Sequence, residues 1–383
     1  MRTGRAILPL WVSFGWCAVA FAGASASQPQ VTLELQQAEA LFRAGKRTAA
    51  VELVERYTRR HASDPKARFT AGLILASAGS FAKAANEFKA TTELQPNYDA
   101  YYNLGLCESH LERWQDARVA YFQALDANLD AYEPNVRLAL DYLAQKKPYL
   151  AVPWLLKARR LRPEDETVMY MLGDAWIREG YLESAAQMLQ QLVARRPADP
   201  RAHAILGDAL AKMQRFNEAL AEYQRAEELA PTVAEIHYQI GQVEGKLSQS
   251  REAEASFRRA IELDPKLSRA WGALGEEVMI TGRWSEAEPF LEKALRLDPD
   301  DVEADFDLSK GLIQAKKYAR AKVILEHLAR EHPDDSRFPY QLSRVYQGLG
   351  LSDRAAAALQ TFERLNRDSL SDERVQHPRT YIQ

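Results

Sequence analysis

The chain has 383 residues, 46% of them hydrophobic and 27% charged, and sets 50 lysines and arginines against 53 aspartates and glutamates for a formal charge of −3. So much apolar material argues against wholesale disorder. The near balance of charge argues against nucleic acid as a partner, because binding a phosphate backbone needs a basic excess.

Residues 1–26 differ in character from the rest of the chain. Arg2 and Arg5 precede an apolar stretch over residues 6–22, and Ala24, Ser25 and Ala26 supply the small side chains of a signal-peptidase site. Cleavage before Ser27 is expected, which makes the protein exported, to a periplasm or the medium. The rival expectation is an uncleaved inner-membrane anchor, since the stretch approaches the roughly 20 residues of a spanning helix. Pro9, Ser13, Gly15 and the small-residue end favour removal. Cys17 as a lipid-bearing start is disfavoured by Phe14, Gly15 and Trp16 before it. Cys107 would then be the one remaining cysteine, without a disulfide partner. It lies on an apolar helix face between Leu106 and Leu111, where a small buried hydrophobe is expected.

From residue 31 a period of 34 residues appears, with one step of 33. The units start at Val31, Pro65, Tyr98, Tyr132, Glu166, Pro200, Ala234, Ser268, Val302 and Ser336. Position 20 is alanine in every unit, from Ala50 and Ala84 to Ala321 and Ala355. Position 8 is always small: Ala38, Gly72, Gly105, Ala139, Gly173, Gly207, Gly241, Gly275, Ser309 and Ser343. Two helices cross closely only where small residues allow it, and larger neighbours fill the flanks. Those fillers stand at position 7 (Leu104 to Leu342) and position 24 (Phe88, Tyr121, Leu155 and onward). Their three-and-four spacing is that of amphipathic helices. Position 32 is usually proline, as at Pro96 and Pro299, and ends each second helix. Leu129 breaks that rule in the third unit, and Glu244 and Ser250 stand at normally apolar positions of the seventh. Pro153 and Pro289 fall early in second helices and are expected to bend them slightly.

The pattern of small, large and proline positions resembles the tetratricopeptide repeat family, most clearly from Trp271-Gly272-Ala273-Leu274-Gly275 through Trp284 and Ala287 to Pro299. The resemblance implies an all-α, right-handed α-solenoid of about ten helix-turn-helix hairpins over residues 27–365. The tenth second helix, with Arg354, Gln360, Glu363, Arg364 and Arg367, is expected to cap the open end. Residues 366–383 are expected to be a loose polar tail.

The same resemblance implies that positions 2, 5, 9, 12 and 13 of each first helix line a concave groove for protein or peptide segments. Position 5 gives Phe69, Tyr102, Tyr170, Tyr238, Phe306 and Tyr340, rings that can hold apolar side chains while phenols bond a backbone. Packing within the hairpin is the competing use of those rings. Position 9 gives Asp174, Asp208, Glu276, Lys310 and Arg344. Asp174 with Arg178, and Asp208 with Lys212, are spaced as helical ion pairs of about 0.2–0.5 kcal/mol. Position 2 alternates as Arg201, Glu235, Arg269, Glu303 and Arg337, which predicts a structural ion ladder between repeats. Family members that clamp a terminal carboxylate carry Lys at position 5 and Asn at position 9, and no unit here does. Those joined to sugar-transferring domains carry asparagine at position 6, matched by Asn103 alone.

No catalytic constellation is found: there is no G-x-S-x-G, no H-E-x-x-H, no paired C-x-x-C and no phosphate-binding loop. Gly45-Lys46 reads as a turn. His203 and His237 share position 4 of adjacent units, so a two-histidine metal site is an alternative to simple packing, and packing is favoured. No cofactor is expected. The expected function is a non-enzymatic, exported scaffold for protein segments in envelope assembly or secretion. The alternatives are a membrane-anchored assembly factor and a metal-dependent accessory using His203 and His237.

Overall fold

The computed structural model describes residues 33–376, with side chains through Arg367. The expected export signal lies outside the described residues, as do residues 377–383. All regular structure among the described residues is α-helical, and it divides into two compact units meeting in sequence at Pro197–Ala198.

The unit up to Pro197 holds five hairpins. They are α1 (Leu33–Arg43) with α2 (Arg47–Arg60), α3 (Pro65–Ser77) with α4 (Phe81–Leu94), and α5 (Tyr98–His110) with α6 (Trp114–Ala127). Two more complete it: α7 (Tyr132–Ala144) with α8 (Pro148–Leu161), and α9 (Glu166–Glu179) with α10 (Leu182–Arg195). The unit from Ala198 holds α11 (Pro200–Lys212) with α12 (Phe216–Leu229), α13 (Ala234–Lys246) with α14 (Ser250–Leu263), and α15 (Ser268–Ile280) with α16 (Trp284–Leu297). It ends with α17 (Val302–Gln314) and α18 (Tyr318–Glu331), then α19 (Arg337–Gly348) and α20 (Ser352–Gln376). From the second repeat on, every first helix starts at the predicted position 1 or one residue later.

Local chemistry sets these boundaries. Asp64, Asn97, Asp165, Asp199 and Asp301 cap first helices, their side chains accepting from backbone N–H groups of the opening turn. Pro65, Pro148 and Pro200 stand first in their helices, where no donor is needed. Each hairpin turns through a left-handed residue at position 15. Five are glycines, Gly45 included, and the others are Glu112, Lys146, Gln214, Ser248 and Lys316. Helices α8 and α16 run unbroken through Pro153 and Pro289.

The alanine column is buried throughout: Ala50, Ala84, Ala117 and their equivalents are fully covered, and Ala355 of the last repeat is 5% exposed. The small position 8 lies directly beneath position 24 of the same hairpin. A Cβ on Gly72, Gly105, Gly207 or Gly241 would stand 2.7, 2.5, 2.6 and 2.7 Å from the rings of Phe88, Tyr121, Tyr223 and Phe257. Where position 8 is alanine or serine (Ala38, Ala139, Ser309, Ser343), position 24 is aliphatic (Val54, Leu155, Leu325, Leu359). Every ring at position 24 thus faces a glycine, although glycine also faces leucine twice, Gly173 at 3.2 Å from Leu189 and Gly275 at 2.7 Å from Leu291. Between repeats, Trp284 of α16 lies against Gly311 of α17, and Tyr318 of α18 against Gly348 of α19. Trp284 joins the apolar cluster around Leu274 and Phe257 to the one around Leu312 and Phe338.

Two weak points of the repeat pattern are accommodated differently. Leu129, in the proline slot, is 68% exposed. Glu244 is buried and accepts a 2.7 Å hydrogen bond from Ser256 Oγ, with burial raising its carboxyl above the usual range. Cys107 is fully buried, and burial pushes its thiol up to about 12, so it is an inert packing residue. The C-terminal tail is a correction. Helix α20 continues to Gln376, well past the expected end at residue 365. No glycine or proline interrupts Ser352–Gln376, and helix-permissive polar residues need no apolar stripe to extend an existing helix.

A paired substitution tests the ring-on-glycine contact. Gly207→Ala places its Cβ against Tyr223, an overpacking cost of about 1–3 kcal/mol that exceeds the roughly 1 kcal/mol gain in helix propensity. Gly173→Ala meets only the flexible Leu189 side chain, at 3.2 Å. Urea midpoints are expected to fall for Gly207→Ala and to hold or rise for Gly173→Ala. Equal losses would show that the ring is not the cause.

Candidate protein-binding face

First helices of successive hairpins approach one another, as α1 does α3 and α5 does α7 in the unit up to Pro197. The same holds for α13, α15, α17 and α19 in the unit from Ala198. Side chains at positions 2, 5, 6 and 9 of neighbouring repeats therefore share one face within each unit.

The position-5 rings divide by exposure. Tyr102, Tyr170, Tyr238 and Phe306 are buried, Phe69 is half-buried, and Tyr340 is 43% exposed. The expectation of a row of rings open to a ligand is thus corrected for the four buried ones. At Tyr238 contact on both sides is the cause, while Tyr102 shows the first of these contacts and Phe306 the second. Phe69, Tyr102 and Tyr238 lie 5.6, 6.2 and 6.0 Å from the position-24 rings of Phe88, Tyr121 and Phe257, respectively. On the other side the position-2 arginine of the next repeat covers the ring: Arg269 sits 4.9 Å from Tyr238 and Arg337 5.0 Å from Phe306. The same arginines supply two of the expected inter-repeat ion pairs. Arg269 pairs with buried Glu235, and Arg337 grips Glu303 through two 2.9 Å hydrogen bonds.

Position 9 is occupied by internal partners. Asp174 accepts from Arg178 at 2.8 Å, and Asp208 accepts from the Tyr223 hydroxyl at 2.6 Å. Lys310 pairs with Asp307 at 2.5 Å, and Arg344 donates to Gln341 at 3.1 Å. Burial, reinforced by Asp307, raises the Glu276 carboxyl above its usual range. His203 and His237 are buried in separate contacts. The first lies 2.6 Å from Glu222, and the second 3.1 Å from Glu227 and 2.9 Å from the Pro231 carbonyl. Among the described residues no group of three metal-ligating side chains converges.

One opening on this face is shaped for a side chain. Phe306, Ser336, Arg337, Tyr340, Gln341 and Phe362 line a pocket of about 210 Å³, with the Tyr340 and Phe362 rings 5.2 Å apart. Two of the predicted position-5 rings, Phe306 and Tyr340, meet there. Phe362, on the second helix, carries no mark in the first-helix pattern.

In the unit up to Pro197 a polar network occupies the corresponding face, and sequence reasoning missed it. Tyr121 donates to Ser109 Oγ at 2.9 Å, and Ser109 donates to Asp141 at 2.7 Å. Arg137 hydrogen-bonds Tyr102 and faces Asp141. Burial pushes the Asp141 carboxyl up to about 6, against the pull of Ser109, Arg137 and Arg118. Asp141 and Ser109 come from different repeats, so no spacing within one repeat links them.

Tetratricopeptide repeat models match residues 35–90, 70–133 and 238–302, and again 142–209, 278–338 and 312–377, with a further TPR repeat model on residues 207–248. The chain belongs to the tetratricopeptide repeat family. No curated protein matches it. Among solved structures, a tetratricopeptide repeat protein from Parabacteroides merdae is 14% identical, with 65% of this chain and 98% of that one covered at a TM-score of 0.54. That likeness bears on the fold alone. A thermophilic TPR protein of Thermus thermophilus is 26% identical over 48% of this chain and 100% of its own, at a TM-score of 0.43. The Pseudomonas aeruginosa protein pilF is 22% identical over 56% and 98%, at 0.49. Tetratricopeptide repeats serve protein–protein interaction, so this array is an interaction scaffold of a kind that is typically not catalytic.

Two measurements test the tetratricopeptide face. Asp141 binds its proton more tightly folded than unfolded, so its contribution to stability is full below about pH 4 and is lost as pH rises through about 6. Against Asp141→Asn, the wild-type chain is therefore expected to lose up to about 3 kcal/mol of relative stability between pH 4 and pH 7. A constant difference across that range would refute the assignment. Separately, Tyr238→Ala is expected to cost about 3–5 kcal/mol and Tyr340→Ala under about 1, as buried and exposed rings should. Comparison of their urea midpoints decides it.

Proposed function

We propose that the protein is an exported scaffold that seats segments of other proteins on its first-helix face, in envelope assembly or secretion. The observation carrying this reading is the pocket of Phe306, Tyr340 and Phe362, a solvent-open apolar socket on the face that tetratricopeptide proteins use for partners. Its aromatic walls suit a leucine, methionine or phenylalanine anchor of the partner. Gln341 and Tyr340 add polar groups to its lining. Arg337 already grips Glu303 and Asp335, so it contributes a wall rather than a free charge.

Export rests on the n-region, apolar stretch and small-residue site of residues 1–26. No helix among the described residues is long and apolar enough to cross a membrane. Intact mass of the protein from its host separates a start at Ser27 from a retained anchor.

Affinity capture from an envelope fraction tests the binding role. The wild-type chain is expected to retain envelope proteins, and Tyr340→Ala with Phe362→Ala to release them by about tenfold or more at unchanged melting temperature. Recovery of cytosolic proteins alone would sink the envelope role, and capture indifferent to both substitutions would sink the pocket.

A further inference from the structure

The outer helices carry a second unusual surface, on α6 and α8 of the third and fourth repeats. Position 25 points outward and is charged or an amide in the other eight repeats, as Lys89, Gln190 and Glu292 show. In these two it is Phe122, 40% exposed, and Leu156, 41% exposed. One turn earlier, at position 22, stand Val119 and Pro153, both exposed. The two outer faces abut, with the Phe122 and Trp154 rings 5.5 Å apart. A contiguous exposed apolar patch of this kind marks an interaction surface.

Charge identifies the occupant. At position 29, one turn beyond the apolar rows, α6 carries Asp126 and α8 carries Arg160. Both are exposed, and no ion pair engages either among the described residues. At position 18 the pair is Gln115 and Tyr149. A two-fold axis parallel to α6 and α8 lays α6 of one copy over α8 of another, so equal repeat positions meet. Phe122 then faces Leu156, Val119 faces Pro153, Gln115 faces the Tyr149 hydroxyl, and Asp126 faces Arg160, each twice. Isologous pairing requires this self-complementarity, in which residue i contacts j and j contacts i.

We infer that the α6–α8 outer face pairs with the same face of a second copy of this chain, leaving the first-helix face of each copy free. Sedimentation velocity on the full chain, from about 1 to 100 µM, tests it against affinities ordinary for modest interfaces. Wild type is expected to shift from monomer to dimer across that range, and Phe122→Asp to stay monomeric with unchanged circular dichroism and melting. Asp126→Arg and Arg160→Asp are each expected to weaken pairing about tenfold at low salt, through like-charge contact. Combined in one chain, the two reversals restore it. A wild type monomeric throughout, a dimer that survives Phe122→Asp, or a double reversal that fails to restore pairing would each overturn the inference.

Discussion

Everything in these hairpins is arranged around the contact between position 8 and position 24. A ring or a branched aliphatic from the second helix fills the centre of the hairpin, and the first helix must thin itself to a glycine, alanine or serine to let it in. Since interiors are filled to crystal-like density, a ring on one helix is admitted only where the other has shed its Cβ, whereas leucine is met by glycine, alanine or serine. Four aromatic residues at position 24 face four glycines at position 8, and no aromatic faces an alanine or serine. The alanine at position 20 holds the axes close at the next level, which is why its column is buried in every repeat.

Where the central plug is aromatic, it also gives the position-5 ring of the same hairpin a neighbour. With position 24 filled by Phe88, Tyr121 or Phe257, the ring at position 5 has an edge to rest against and turns inward. In the later repeats the next hairpin brings its position-2 arginine over the outer face, and a glutamate from the covered repeat neutralises that arginine. Stacking and ion pairing are one device, repeated at Tyr238 with Arg269 and Glu235, and at Phe306 with Arg337 and Glu303. The carboxylates caught in such places are desolvated, and their proton affinity rises accordingly, as at Glu235, Glu276 and Asp307.

Much of this was legible in the amino-acid sequence, because a repeat array restates its rules ten times. The helix starts, the register and the hairpin turns come from columns in which one physical demand recurs. Single occurrences were harder to read. Asp141, Ser109 and Tyr121 look like ordinary polar and aromatic residues until stacking brings two repeats together, and no column records a contact made once. The burial of Tyr102, Tyr170, Tyr238 and Phe306 was hidden for a related reason, since an aromatic residue at position 5 satisfies packing and ligand contact equally well. Burial depends on what the neighbouring repeat lays over the ring. Helix α20 outran its expected end because apolar periodicity signals a packed helix, whereas an existing helix propagates on propensity alone.

The exposure of Tyr340 obeys the same rule. The arginines over Tyr238 and Phe306 each belong to the following repeat, and among the described residues no first helix comes after α20. Tyr340 therefore keeps its outer face in solvent, Phe362 borders it from the second helix, and the pocket opens where a covering arginine would have stood. A nearest-neighbour architecture makes such an opening inexpensive, since each repeat is stabilised mainly by its own hairpin and by the repeats beside it. The last repeat gives up one stacking partner and keeps its central plug. Under the proposed reading, an apolar side chain of a partner protein would take at Tyr340 the place that the arginines hold at Tyr238 and Phe306.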